Sequence, residues 1–471
     1  MILATIIPVI GNIALSGGFL AVFFLCYLAV MGFEFVNGFH DTANAVATVI
    51  YTKTLKPYLA IIWSGIWNFL GVLIVGTAVA MTLLKLVPLD VLITLPLQVG
   101  ACLVIAILLA SIIWNLGTWY FGIPLSSTHT LIGAMIGASL SFTYFYGGPG
   151  VDWSKATEIG LSLLISPIIG FGGSYFLMLI ERKFIHSDRF FHVPEGEGDK
   201  PPTPIRILLV CTCTLVSFFH GSNDGQKGVG LLMLILIVFL PATFAFNPKI
   251  SDDQTGNWLN STEQILTQIK PADTATQNKI SKLVTNIDKA KTEEGNKESA
   301  KTTDKFKFRK SVQKVAGDLK KLTDDKKSGL QPQVKDQLKA SVKNLQKITD
   351  FAPIWVILTI SLSLGLGTMI GWKRIVVTIG EKIGKEHLNY AQGATAEIVA
   401  AATIGLSTGF GLPVSTTHVL SSGVAGAMQG SKGTSNLNYQ TIKNIIMAWV
   451  LTLPVAIALS FLLFMLFHLW L

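Results

Sequence analysis

The sequence predicts an all-α polytopic membrane protein: two inverted-topology repeats of five spans each, with broken or re-entrant helices, plus a small, mostly helical extramembrane insertion. Three observations carry that expectation. Half of the 471 residues are hydrophobic and only 14% are charged, a balance that suits lipid rather than water as the main solvent. The stretch Pro124-Leu125-Ser126-Ser127-Thr128-His129 is written again, 289 residues later, as Pro413-Val414-Ser415-Thr416-Thr417-His418. A second pair, Asn37-Gly38-Phe39-His40-Asp41 and His220-Gly221-Ser222-Asn223-Asp224, is separated by 183. The two separations differ by 106, the length of residues 247–352, so a segment inserted into the second copy reconciles them.

Hydrophobic runs of spanning length occupy residues 17–50, 57–86, 98–121, 124–147 and 155–183, then 204–246, 353–372, 390–411, 412–431 and 440–471. The first and sixth are too long for one straight crossing and hold polar clusters, so broken or tilted helices are expected there. A short extra helix over residues 2–16 raises the range to between ten and twelve. Met1 to Leu20 contains no Lys or Arg; it lacks the basic region of a cleaved signal peptide and is read as retained. The chain divides into a first membrane repeat (1–183), a cytoplasmic linker (184–203), the first span of the second repeat (204–246), an extracytoplasmic insertion (247–352) and the rest of the second repeat (353–471). An odd number of spans per repeat turns the second copy over in the bilayer.

The net charge of +9 does not indicate a nucleic-acid partner. Residues 247–352 hold 21 of the 37 Lys and Arg against 14 of the 28 Asp and Glu, so this one segment contributes seven of the nine positive charges. With the N- and C-termini outside, thirteen Lys and Arg, among them Lys53, Arg182, Arg206, Lys373, Arg374 and Lys382, fall in inner loops, whereas Lys85 and Lys155 fall in outer ones. The positive-inside rule favours that orientation in a bacterial cytoplasmic membrane and leaves the insertion outside, since long loops translocate regardless of charge. Apolar spacing at Ile280, Leu283 and Ile287, and at Leu338, Val342 and Leu345, predicts a small helical cap there, partly mobile. All four cysteines, Cys26, Cys102, Cys211 and Cys213, lie in apolar runs and read as small core residues rather than disulfide partners.

The polar clusters carry the candidate chemistry. A proline followed by hydroxyl residues and an apolar run marks a helix start whose first N–H groups lack partners, and such an end attracts anions. Two such starts at membrane depth must line a cavity. Ser126, Ser127, Thr128, Ser415, Thr416 and Thr417 supply neutral donors that hold an oxyanion without a locked ion pair; the plainer reading is that they only cap their helices. Asn37, Asp41 and Asn44 share one helical face beside His40, and His220, Asn223, Asp224 and Lys227 repeat the pattern, with Gln226 adding an amide and Gly221, Gly225 and Gly228 permitting an unwound turn. A carboxylate near the bilayer centre costs about 2.5–3.5 kcal/mol on insertion scales, so Asp41 and Asp224 need a compensating cation or proton. The competing reading pins them structurally, Asp224 to Lys227 and Asp41 to His40. Asp and Asn oxygens suit Na⁺ or Mg²⁺-like ions, and histidines take up protons near neutral pH. His129, His418, Glu34 and Glu397 are possible helpers: the histidines orient the motifs or protonate, and the isolated acids are candidate proton carriers.

These residues are similar to those of the Pit family of inorganic phosphate transporters, nearest to its bacterial low-affinity type. The resemblance runs through Asn37 to Val46, His220 to Gly228 and both Pro-x-Ser-Ser/Thr-Thr-His motifs, and extends to Trp114 to Gly122 and Gly380 to Gly384. It implies an alternating-access symporter rather than an enzyme, forming homodimers, with phosphate (or arsenate, its analogue) held between the hydroxyl motifs and Asp and Asn at coupling-ion sites. Sodium-coupled members carry a fuller Asn-Asp pattern. Here His40 replaces an Asn in the first copy and Gln226-Lys227 replaces Ala-Asn in the second, so the resemblance favours H⁺ coupling, with a divalent cation such as Mg²⁺ entering beside phosphate. No cofactor is implied. A Na⁺-coupled carrier, a sulfate carrier of the same fold and a membrane sensor built on it are the alternatives; an enzyme acting on phosphate esters finds no support, since the sequence shows no metal-ligand triad, nucleophile elbow or P-loop.

Overall fold

The computed structural model describes residues 17–148, 150–195, 198–269, 273–295, 302–325 and 328–469, without the side chains of residues 17, 42–44, 90, 295, 302 and 303. The expected helix over residues 2–16 lies outside the described residues, as does the side chain of Asn44. Among the described residues the fold is all-α, with a single isolated bridge between Gly384 and Leu437. The helices are α1 (Gly17–Tyr51), α2 (Pro57–Ile74), α3 (Ala78–Leu84), α4 (Leu89–Leu92), α5 (Leu97–Tyr120), α6 (Ser127–Tyr146), α7 (Trp153–Phe184), α8 (Thr203–Phe239) and α9 (Pro241–Phe244). There follow α10 (Asp252–Gln268), α11 (Thr274–Gly295), α12 (Thr302–Asp324), α13 (Pro332–Thr349), α14 (Ile354–Thr368), α15 (Lys373–Val377), α16 (Tyr390–Gly409), α17 (Thr416–Lys432) and α18 (Tyr439–His468).

Among the described residues, α1, α2, α5, α7, α8 and α18 are long and apolar enough to cross a membrane. Long faces of α7 and α18 leave Leu164, Ile168 and Phe176, and Val450, Leu462 and Met465, exposed, a surface suited to hydrocarbon rather than water. The remaining expected spans are α6, α14, α16 and α17, of 15 to 20 residues. They are more deeply buried, and α6 and α17 bury most of their side chains.

Two expectations are corrected. The first and sixth runs are not broken at their polar clusters: α1 continues for 35 residues and α8 for 37, both helical through the Asp motifs. Gly221 and Gly225 do not unwind α8. They let α2 approach, because a Cβ at Gly221 would meet the Asn68 backbone and one at Gly225 the Val72 side chain. The break comes instead in the second run, where α2 ends at Ile74 and the chain resumes as α3.

One packing arrangement occurs twice. Gly38 of α1 lies against the Leu364 carbonyl of α14, and Gly367 of α14 lies against the Phe35 backbone. Gly221 of α8 lies in the same way against Asn68 of α2, and Gly71 of α2 against Phe218. The α1 and α8 positions are 183 apart, as in the sequence, but those on α2 and α14 are 296 apart rather than 289. The segment 247–352 therefore does not account for the whole difference; two further helical turns separate the copies here. The hydroxyl-motif helices keep the 289 separation. Gly137 of α6 packs on the Ile457 backbone of α18, and Gly426 of α17 on the Phe171 backbone of α7. Helices of the first half thus bury their small faces against helices of the second.

The segment Leu236–Ala352, together with Leu89–Gly100, forms a compact unit of its own, wider than the expected 247–352. Its helices α10 to α13 enclose a core of Leu259, Leu266, Leu283, Ile287, Phe308, Leu319, Leu338 and Leu345, which contains most of the apolar positions whose spacing predicts it. Ser251 and Gln254 form a capping box at α10, and Asp273 accepts the Thr276 N–H at 2.6 Å before α11. Arg309, buried in this unit, donates to the Ala245 carbonyl at 2.6 Å, and burial pulls its pKa down to about 10.

Candidate functional site

Each hydroxyl motif is built in the same way. Gly122 (φ 66°) and Gly411 (φ 70°) adopt a left-handed backbone that L side chains resist, turning the chain out of the preceding helix. A short extended segment follows through Pro124 or Pro413, and the helix restarts at Ser127 or Thr416. Ser126 and Ser415 are the caps: their hydroxyls accept the backbone N–H of His129 and His418, both at 3.1 Å. The plain capping role holds for these two serines and leaves Ser127, Thr128 and Thr417 to point elsewhere.

Ser127 and Thr417 converge on Asp41. Ser127 of the first motif donates to Asp41 Oδ2 at 2.9 Å, and Thr417 of the second donates to Oδ1 at 2.8 Å. A carboxylate from α1 thus bridges the starts of α6 and α17. His40 Nδ1 lies 3.1 Å from Oδ1. From α8, Lys227 Nζ donates to Asp224 Oδ2 at 2.6 Å and to the Ser127 and Thr128 hydroxyls at 2.9 Å each, while Thr128 donates to the Val414 carbonyl at 3.0 Å. His220 Nε2 lies 3.4 Å from Asp224 Oδ2 and 3.9 Å from Asp41 Oδ2. All of these side chains are buried, Lys227 and Asp224 completely. The pairs that a structural reading expects, Asp224 with Lys227 and Asp41 with His40, are present, and they are joined to both hydroxyl motifs as well.

Other candidates lie outside this centre. Asn223 donates to Thr408 and to the Leu412 carbonyl and accepts the Val414 N–H, so it braces the extended segment of the second motif. Gln226 accepts the Val79 N–H at 2.7 Å, holding the start of α3. Asn37 donates to Glu34 at 3.3 Å. Glu397 accepts hydroxyl hydrogen bonds from Thr48 and Thr212 in a separate buried cluster. Thr416 is buried, and its hydroxyl has no hydrogen-bond partner among the described residues. The His129 and His418 rings face each other across the two motifs with centroids 4.5 Å apart, and His418 stacks on Trp449 at 3.9 Å.

Sequence reasoning missed Asn68 and Trp449. Asn68 Oδ1 accepts from His220 Nδ1 at 2.8 Å, and the Asn68 amide nitrogen donates to Thr368 at 3.1 Å; its signal was a lone amide within an apolar run. Trp449 donates to the Pro124 carbonyl at 3.1 Å, and nothing in its neighbourhood marks it. The arrangement offers hard and borderline ligands: one atom each from Asp41, His220 and Asp224 lie within 4.8 Å of one another, close enough to share a cation.

The comparisons agree among themselves. The model of the phosphate transporter family matches residues 37–460. The chain is 40% identical over 470 residues to the low-affinity inorganic phosphate transporter PitA of Escherichia coli (strain K12), covering 92% of this chain and 93% of that one. It is 29% identical over 436 residues to the probable low-affinity inorganic phosphate transporter of Bacillus subtilis (strain 168), covering 93% and 94%. Among solved structures, one titled the sodium-dependent phosphate transporter matches with a TM-score of 0.55 at 21% identity, over 96% of this chain and all of that one, a likeness of fold.

Proposed function

The chain belongs to the phosphate transporter family, and from that premise we propose that it is a multi-pass membrane carrier that takes up inorganic phosphate by alternating access. The single observation that carries the reading is the bridging of Asp41 by Ser127 and Thr417, one hydroxyl from each motif. The same hydroxyls can turn from the carboxylate to phosphate oxygens, so loading the anion and freeing Asp41 become one event. The doubled packing of α1 on α14 and α8 on α2 supports two inverted repeats that rock against each other around this point.

Charge decides what must enter with phosphate. The centre holds two carboxylates and one ammonium, an excess of one negative charge while its histidines are neutral. At about 4 Å and an effective dielectric near 20, that excess opposes a phosphate dianion by roughly 8 kcal/mol. A divalent cation carried with phosphate as a neutral complex, or protons taken up at Asp41, His40 or His220, removes the opposition. H⁺ coupling with metal–phosphate as cargo is therefore the reading we favour. Sodium coupling has the fold likeness in its support, but Lys227 at 2.6 Å already compensates Asp224, an oxygen ligand a Na⁺ site would need.

The test is radiolabelled phosphate uptake into proteoliposomes under imposed H⁺ or Na⁺ gradients, with and without Mg²⁺. Accumulation driven by the pH gradient and raised by Mg²⁺ is expected. Absence of accumulation in either gradient polarity refutes carriage, and dependence on Na⁺ alone refutes the coupling.

A further inference from the structure

Away from this centre, a cleft of about 550 Å³ opens between the end of α5 and the segment that follows α14. Its walls are Trp119, Tyr120 and Phe121 on one side and Trp372, Lys373 and Arg374 on the other, with Lys382 at its edge. The floor is fixed: Trp119 donates to the Gly371 carbonyl at 2.9 Å, and Thr378 donates to the Gly122 carbonyl at 2.9 Å. Arg374 stacks on Trp119 and Tyr120 at 5.1 and 5.0 Å and donates to the Tyr120 carbonyl, so its guanidinium is held as part of the wall. Lys373 and Lys382 are exposed and make no ion pair among the described residues, and none of the described residues that line the cleft is Asp or Glu.

We propose that this cleft binds the phosphate headgroup of an anionic phospholipid. Three features select a lipid over a soluble anion. The cleft sits where the apolar α5 ends, and its lining gathers Trp119, Tyr120 and Trp372, residue types enriched at a membrane–water boundary. Its basic groups are unopposed, which suits an anionic headgroup at that boundary. Beside them Tyr120, Phe121 and Ile370 are 61%, 74% and 56% exposed, an apolar rim that water solvates poorly and an acyl chain covers. A bound headgroup would touch Gly122, the turn that leads into the first hydroxyl motif.

Native mass spectrometry of the purified full-length chain tests this, with phosphatidylglycerol and phosphatidylcholine offered at equal concentration. Phosphatidylglycerol should bind preferentially, and Lys373→Gln and Lys382→Gln should each weaken it about fivefold. Both side chains are exposed, so the variants retain the fold; an unchanged elution profile checks it, and either single variant suffices for the comparison. Equal binding of the two lipids, or a preference untouched by both substitutions, overturns the proposal. Displacement of the lipid by excess inorganic phosphate overturns it as well, because the cleft would then be a site for the free anion.

Discussion

Replacing Lys227 by methionine removes an ammonium that donates to Asp224, Ser127 and Thr128 while keeping the side-chain volume nearly constant. At the observed 2.6 Å the Lys227–Asp224 attraction is about 6 kcal/mol gross for an effective dielectric near 20. Both groups are fully buried, so little water is at hand to replace the lost partner. Breaking such a pair from one side costs about 3–5 kcal/mol, chiefly because the surviving charge stays buried and uncompensated. Lys227→Met should therefore lower thermal stability by several degrees, read as the fraction of monodisperse protein after heating in detergent. Adding Asp224→Asn removes the orphaned charge, so the double variant should recover most of the loss, a coupling of about 3 kcal/mol. Phosphate uptake should remain abolished in the double variant, which separates stability from transport. If the double variant melts no higher than Lys227→Met, the two side chains are not an energetically coupled pair and the charge argument at the centre fails.

Asp41→Asn removes the charge that accepts Ser127 and Thr417, two charge-assisted bonds of about 1.5–3 kcal/mol each; initial uptake should fall about 100-fold, and normal uptake would assign Asp41 to structure alone. Ser126→Ala and Ser415→Ala should each cost about 1 kcal/mol of stability through the lost helix cap, and a thermal melt showing a loss at only one would deny that the motifs are equivalent. Gly221→Ala should destabilise by about 1–3 kcal/mol, because its Cβ meets the Asn68 backbone, whereas Gly117→Ala, with open space around it, should be neutral or slightly stabilising; the same melt compares them. In the insertion, Arg309→Met removes the buried guanidinium that donates to the Ala245 carbonyl and should lower stability by about 1.5–3 kcal/mol, because that carbonyl loses a charged donor; an unchanged melt would contradict it.

Much of the local structure was readable in advance. The restart of helices after Pro124 and Pro413 and the helical character of the insertion depend on contacts a few residues apart, which spacing reports directly, whereas the pattern did not single out Ser126 and Ser415 as the caps among the six hydroxyl residues. The continuity of α1 and α8 was misread. Glycines among polar residues signal either an unwound turn or a close helix contact, and only the presence of Asn68 and Val72 against Gly221 and Gly225 decides between them.

The chain order alone determined that two hydroxyl-capped helix starts and two acid-bearing helices exist, because each is written as a local pattern and written twice. Tertiary structure decided which of them meet. Asp41 and Thr417 are 376 residues apart, and Glu397 is drawn instead to Thr48 and Thr212. Partners at such separations are chosen by how helices cross, and crossing is set by small residues whose role depends on the opposite surface. The positions with the clearest motifs were therefore foreseen, whereas their pairing, and the part played by Asn68, came only with the packed helices.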